Sequence, residues 1–219
     1  MSNYLTPDFL HCALLTIDMQ NDFALPGAIA EIQGTNALID PMFELLKACR
    51  SRQIPIIHVI RFYKPDGSNV DLCRRALIES GVSIVQPGSR GADLVDALKP
   101  VSAIDIQFEQ LLSGELQNIA PNEWVMYKSR WGAFYKTQLE EFLIKKNITT
   151  LIFTGCNFPN CPRTSIYEAS ERDFKTLLIK DAVSGIYEKG LQEMKGIGVT
   201  TLDWAELVDQ LNKSGLFSL

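Results

Sequence analysis

The chain has 219 residues, of which 46% are hydrophobic and 21% charged, and its formal net charge is −5 at pH 7. This composition is typical of one folded domain spanning residues 1–219, without a disordered or low-complexity tract. No basic cluster is large enough to neutralise a nucleic-acid backbone, and no apolar run approaches the roughly 18 residues of a membrane span, so we predict a cytoplasmic protein with neither kind of partner.

Five short apolar runs, separated by helical patterns, are predicted to form buried strands. In chain order they are residues 12–17, 54–60, 124–127, 149–154 and 176–179. Helical periodicity covers residues 41–49, 72–77 and 139–143, whereas residues 88–122 contain scattered glycine and proline and are predicted to form an irregular excursion over one edge. The alternation indicates an α/β fold in which helices cover both faces of a mostly parallel sheet.

Polar residues that directly follow predicted strands are the first candidates for a functional site, because ligands bind beyond the carboxyl ends of the strands in such sheets. Asp18 follows the first predicted strand and Lys128 follows the third. A carboxylate at such a position can act as a base, and an ammonium group can hold a nearby carboxylate or thiolate ionised. An Asx turn for Asp18 and a solvated surface position for Lys128 are the alternative interpretations.

The segment after the fourth predicted strand places a cysteine at the start of a helix. Residues 154–161 are T-G-C-N-F-P-N-C, and Pro162 then occupies the first turn of a helix that is predicted to end near Arg172. A thiol at a helix N-terminus is expected to have a lowered pKa, and the free N–H groups there can form an oxyanion hole. Cys161 is therefore the predicted nucleophile, while Cys156 is expected to be a small buried residue.

Cysteine and histidine usage narrows the chemistry further. The five cysteines are odd in number and scattered, a pattern that does not indicate a disulfide framework. With two histidines in the whole chain, His11 and His58, a histidine-rich metal site or a Ser-His-Asp mechanism is disfavoured. The spacing C-x4-C between Cys156 and Cys161 also differs from the C-x-x-C of redox and zinc sites.

Taken together, these segments resemble the isochorismatase-like cysteine hydrolases. The matching segments are D-M-Q-N-D-F at 18–23, K-S-R-W-G-A-F at 128–134 and T-G-C-N-F-P-N-C at 154–161, within a similarity that spans about residues 12–200. The resemblance implies a three-layer α/β/α, Rossmann-like fold with a mostly parallel six-stranded sheet, assembled as a homo-oligomer (dimer or tetramer). It also implies a catalytic triad of Asp18, Lys128 and Cys161, and a non-proline cis peptide bond between Cys156 and Asn157.

The reaction follows from the same resemblance. Asp18 accepts the thiol proton, Lys128 stabilises the ionised pair, and Cys161 attacks a small amide, ureido or carbamoyl compound to form a thioester. The N–H groups of Asn157 and Cys161 form the predicted oxyanion hole. The candidate substrate contacts are Asn21, Phe23, Arg61, Trp131 and Phe158. Metal-dependent nicotinamidases carry histidines after the second strand and this chain has none there, so we predict no catalytic metal and no cofactor.

Two other functions remain open at this point. One is the vinyl ether hydrolysis of true isochorismatases, although relatives with that reaction carry a different residue at the cysteine position. The other is a non-catalytic binding or assembly role for the same fold. Nitrilase-type hydrolases, which use Glu, Lys and Cys, are disfavoured because the acid here is Asp18 and the strands alternate with helices.

Overall fold

In the computed structural model, which describes residues 4–101 and 105–215, seven strands form one sheet. The strands are β1 Cys12–Ile17, β2 Ile56–Ile60, β3 Gln117–Ala120, β4 Glu123–Tyr127, β5 Thr150–Gly155, β6 Lys175–Val183 and β7 Thr200–Leu202. Their spatial order is β3-β4-β2-β1-β5-β6-β7, and each adjacent pair is parallel except β3 and β4. The predicted three-layer, mostly parallel sheet is therefore confirmed.

Eight α-helices lie between or after the strands in the described ranges. They are α1 Asn21–Ala24, α2 Ile39–Ser51, α3 Leu72–Glu79, α4 Phe108–Leu112, α5 Leu139–Lys145, α6 Cys161–Ser170, α7 Glu188–Gly196 and α8 Trp204–Lys213. None of the helices that the structure describes is both long and apolar enough to span a bilayer.

Buried side chains of the strands alternate between two hydrophobic layers, as the pleat of a strand requires. In β1, Leu14 packs in the layer that contains the buried side chains of α2 and α8. Its neighbours Ala13 and Leu15 pack in the opposite layer, with buried side chains of α5, α6 and α7. Helices therefore cover both faces of the sheet, and the polar residues at the ends of the strands remain available for a functional site.

The sheet has one strand more than the six that we predicted. Sequence patterns did not identify two of the seven strands, β3 and β7, which are short and lie at the two edges of the sheet. β3 is antiparallel, alternates buried and exposed positions, and lies inside the region predicted to be irregular. β7 has three residues, two of them threonines. Strands this short carry too few apolar residues to give a periodic signal.

A buried polar network links β1, β2, β4 and α2 in the interior. His58 lies 2.7 Å from Thr16 Oγ1 through Nδ1 and 2.7 Å from Glu123 Oε1 through Nε2. Arg50 donates to both oxygens of Glu123, at 2.9 and 2.7 Å. Burial favours the neutral acid, but the hydrogen bonds from Arg50 and His58 prevail and lower the pKa of Glu123 to about 2. This carboxylate is therefore ionised and contributes to stability at neutral pH.

We expect Glu123→Gln to lower the free energy of unfolding by about 3 kcal/mol at neutral pH, because it leaves Arg50 and His58 without a buried carboxylate. The folded-state pKa of Glu123 lies below its ordinary value of 4.5, so its contribution is fully present above pH 4.5 and is lost as the pH falls towards about 2. The stability difference between wild type and variant should shrink over that range when measured by urea titration.

Glu44→Gln is the matched control, because Glu44 forms an exposed ion pair with Lys47. Exposed pairs of this kind contribute less than about 1 kcal/mol. Equal losses in the two variants, or a pH-independent loss in Glu123→Gln, would contradict the assigned role of the buried network.

Candidate active site

Four side chains that the sequence predicted to be functional meet at the carboxyl edge of the sheet. Asp18, Arg61 and Lys128 directly follow β1, β2 and β4, and Cys161 begins α6 after β5. These four strands are adjacent and parallel, so their ends lie side by side. β1 lies where the strand order reverses, with β2 on one side of it and β5 on the other. Ligands bind at this position in open α/β sheets.

The carboxylate of Asp18 and the ammonium of Lys128 form a buried ion pair. Lys128 Nζ donates to Asp18 Oδ2 at 2.9 Å and to the carbonyl oxygen of Arg130 at 3.3 Å. The two residues are 3% and 0% exposed. The other carboxylate oxygen, Asp18 Oδ1, is buried without a hydrogen-bond partner among the described residues. An acceptor is thus left open at the centre of the site.

Cys161 is the first residue of α6, followed by Pro162 as the sequence predicted. Its pKa differs from our expectation of a lowered value. The residue is only 6% exposed, and burial together with the Asp18 carboxylate raises the pKa of the thiol above its ordinary value. Lys128 and Arg61 offset part of this effect. The net effect on the pKa of the thiol is thus opposite to the one expected from a helix N-terminus alone.

The loop between β5 and α6 has the geometry that the resemblance implied. The peptide bond between Cys156 and Asn157 is cis. Among the residues that the structure describes, the backbone N–H groups of Asn157 and Cys161 have no hydrogen-bond partner, although the N–H of Phe158 donates to Ser184 at 2.7 Å. Two backbone donors of this loop are therefore unpaired.

Arg61 has a denser set of contacts than a surface arginine. Nη2 donates to Cys161 Sγ at 3.2 Å and to the Arg130 carbonyl oxygen at 3.1 Å. Nη1 donates to Asp71 Oδ2 at 2.5 Å and to the hydroxyl of Tyr63 at 2.7 Å. Burial opposes ionisation of Asp71, but the charge of Arg61 and the hydrogen bond from Tyr63 lower its pKa overall. Arg61 and Asp71 are therefore both charged at neutral pH.

Sequence patterns did not identify three of the residues that position this arginine. Asp71 and Tyr63 hold the guanidinium group, and Gln20 holds the backbone. The Gln20 side chain accepts from the N–H of Arg61 at 2.9 Å and donates to its carbonyl oxygen at 2.8 Å. Gln20 lies within the quoted segment 18–23, which was the one available signal, whereas nothing in the local pattern distinguishes Asp71 from a helix N-cap.

The other predicted substrate contacts divide into two groups. Asn21 donates to the carbonyl oxygen of Arg90 at 2.7 Å, and Phe23 and Phe158 are buried in the hydrophobic layers. These three residues serve packing and loop attachment in the structure, and a role in substrate binding stays a prediction for them. Trp131, which is 38% exposed, faces open space.

That space is a cavity of about 530 Å³ beside the four side chains. It is lined by Asp71, Leu72, Cys73, Arg130, Trp131, Gly132, Tyr135, Thr164 and Glu168. Neither Cys161 nor Asp18 lines it, and Arg61 joins the two regions through its contacts with Asp71 and Cys161. The volume is in the range typical of small-molecule sites.

In the described ranges, no three His, Cys, Asp or Glu side chains are arranged so that they could hold a metal ion. His58 belongs to the buried network with Glu123, and His11 pairs with Asp8 near the N-terminus. The residues around Cys161 therefore do not fit the histidine-containing metal site of metal-dependent nicotinamidases.

Comparisons with known proteins identify the family and the fold. A family model for the isochorismatase domain matches residues 12–206. A probable inactive nicotinamidase from Arabidopsis thaliana is 32% identical over 203 residues, which cover 89% of this chain and 94% of that protein. A ureidoacrylate amidohydrolase from Methylobacterium radiotolerans is 25% identical over 187 residues, which cover 77% and 65%. The crystal structure of an isochorismatase family protein from Desulfovibrio vulgaris has a TM-score of 0.79 at 30% identity, covering 92% and 98% of the two chains.

The close approach of β5 to β1 generates a prediction about Gly155. Its φ is +109°, and a Cβ added there would lie 2.1 Å from the carbonyl oxygen of Ile17. Because that neighbour is backbone, we expect Gly155→Ala to lower the free energy of unfolding by about 3 kcal/mol or more. Gly196→Ala is the control, since no atom lies within 4 Å of its added Cβ. Similar thermal unfolding midpoints for the two variants would contradict this prediction.

Proposed function

The chain belongs to the isochorismatase family, and on that premise we propose that it is a cysteine-dependent hydrolase of a non-peptide C–N bond in a small amide, ureido or carbamoyl compound. The observation that carries the proposal is the convergence of Asp18, Lys128 and Cys161 at one buried point, with an acceptor oxygen and two backbone donors left unpaired. Buried polar groups without partners are uncommon in folded proteins, and at this position they suit a substrate.

Two relatives bear on the choice of substrate. The protein named a ureidoacrylate amidohydrolase supports amide-type chemistry for this chain. The protein named a probable inactive nicotinamidase does not support nicotinamide as the substrate, and its name also fits a non-catalytic role.

The first half of the reaction forms an acyl-enzyme. Asp18 takes the proton of the Cys161 thiol, and the sulfur attacks the carbonyl carbon of the substrate. The N–H groups of Asn157 and Cys161 hold the resulting oxyanion, each donor contributing about 3 kcal/mol. Protonated Asp18 then gives its proton to the departing nitrogen, the C–N bond breaks, and a thioester remains.

The second half releases the acid. A water molecule gives a proton to Asp18 while its oxygen attacks the thioester carbonyl, and collapse of the second tetrahedral intermediate expels the sulfur. The proton on Asp18 returns to Cys161. Lys128 stays protonated throughout and stabilises whichever of the two groups carries the negative charge.

We propose that the cavity beside the site receives the part of the substrate that does not react. Its exposed aromatic side chains, Trp131 and Tyr135, offer flat apolar surface, while Arg130 and Glu168 supply charge. A Cβ at Gly132 would lie 2.1 Å from the Glu168 carboxylate, so a side chain there would displace this carboxylate from its hydrogen bond with the N–H of Phe134.

A non-catalytic binding protein is the second candidate function, and the burial of the Cys161 thiol is the observation that favours it. The two candidates give opposite results in an assay of ammonia or amine release.

We expect the wild-type protein to release ammonia or an amine from at least one member of a panel of amides, ureido acids and carbamoyl compounds. Cys161→Ala removes the nucleophile and should abolish turnover. Asp18→Asn and Lys128→Met should lower kcat by about 10² or more, because proton transfer loses its base or its charge balance. Lys47→Ala, at an exposed position of α2, is the control and should keep wild-type rates. Undiminished release by Cys161→Ala would exclude the proposed mechanism.

For whichever substrate is cleaved, Trp131→Ala should raise KM about fivefold with little change in kcat. The loss of one aromatic contact in the cavity corresponds to about 1 kcal/mol of binding free energy. Steady-state kinetics of Trp131→Ala and of the control Tyr4→Ala measure this; Tyr4 lines a separate pocket near the start of β5. An unchanged KM in Trp131→Ala would place the substrate elsewhere.

A further inference from the structure

Cys161 has a second cationic neighbour besides Lys128. The Nη2 group of Arg61 donates to the sulfur at 3.2 Å, and Nε lies 3.7 Å from Asp18 Oδ2. The arginine is 2% exposed. It therefore contacts both groups between which the proposed mechanism transfers a proton.

The donors of this guanidinium group are almost fully used inside the protein. Nη1 donates to Asp71 and Tyr63, and Nη2 to the Arg130 carbonyl oxygen and to Cys161. Only Nε has no hydrogen-bond partner among the described residues, and it points towards Asp18 rather than offering a pair of parallel donors. A substrate carboxylate bound in the fork geometry of arginine would need such a pair. The contacts therefore favour a role towards the sulfur over a role as a carboxylate clamp.

The movement of charge in the proposed proton transfer also favours a role of Arg61 towards the sulfur. Proton transfer from Cys161 to Asp18 moves one negative charge from the carboxylate to the sulfur. Lys128 Nζ is hydrogen-bonded to the carboxylate, whereas Arg61 Nη2 is hydrogen-bonded to the sulfur. Each end of the transfer thus has its own cation, and in a site with little water each attraction is stronger than at the protein surface.

The position of Arg61 is held from two sides before any substrate binds. Asp71 and Tyr63 fix the guanidinium group, and Gln20 fixes the backbone through two hydrogen bonds. A donor that is already in place when charge develops avoids the cost of reorganisation.

We propose that Arg61 is a fourth catalytic residue, which stabilises the Cys161 thiolate by donating Nη2–H to the sulfur. The inference rests on the proposed function only in taking Cys161 as the nucleophile. The titratable groups that act on this sulfur are the Asp18 carboxylate, the Lys128 ammonium, Arg61 itself and the buried thiol of Cys156. Asp71 and Tyr63 act through Arg61.

The test is the pH dependence of the alkylation rate of Cys161 by iodoacetamide, followed by mass spectrometry of its peptide so that the other four cysteines do not interfere. Arg61→Met should raise the apparent pKa of Cys161 by about one unit, which is a tenfold loss of thiolate at a given pH. Arg74→Met is the matched control, because Arg74 contacts Tyr63 and Asp71 but not the sulfur. It should leave the pKa of Cys161 unchanged.

A wild-type profile in folded Arg61→Met, or an equal shift in Arg74→Met, would overturn the proposal. If Arg61→Met does not fold, Arg61→Gln carries the test: its amide is polar but uncharged, so a raised pKa of Cys161 is expected and a wild-type pKa contradicts the inference. No substrate is needed, so an unsuccessful search for an amide substrate leaves this result independent of the proposed reaction.

Discussion

The buried ion pair between Lys128 and Asp18 sets the conditions that the surrounding structure has to meet. Removing two charges from water costs several kcal/mol for each ion, and their mutual attraction compensates only when further hydrogen bonds are present. The Arg130 carbonyl oxygen supplies one to Lys128, and Arg61 brings a second cation towards Asp18. The parallel ends of β1, β2 and β4 hold these groups together. A sheet of another order would separate them.

The raised pKa of Cys161 changes how the site is to be understood. A cysteine at a helix N-terminus is usually expected to be ionised at rest, but here burial and the Asp18 carboxylate oppose this. A thiol whose pKa is raised is less sensitive to stray oxidants and electrophiles, because the thiolate is the reactive species. In the proposed mechanism, ionisation of the thiol is coupled to protonation of Asp18.

The long apolar strands could be predicted from the sequence, whereas the short edge strands and the residues that loops bring to the site could not. The strands β1 and β5, and the three residues at strand ends, were identified because buried parallel strands are continuous apolar runs and polar residues after them are conspicuous. The edge strands β3 and β7 lack such runs. Asp71 and Tyr63 are brought to the site by the path of the loop after β2, which no local pattern specifies. Phe23 and Phe158 lie inside conspicuous segments and are buried, and a contact with substrate stays a prediction for both.

The distribution of thiols has a practical consequence. Of the five cysteines, all within the described ranges, four are buried and Cys73 is exposed. Cys73 also lines the cavity beside the site, two residues after Asp71. A fluorophore attached there under mild, near-neutral conditions would sit at the rim of the cavity, whereas Cys161 is buried. The protein thus carries a natural attachment point from which occupancy of the cavity can be followed optically, with no engineered cysteine.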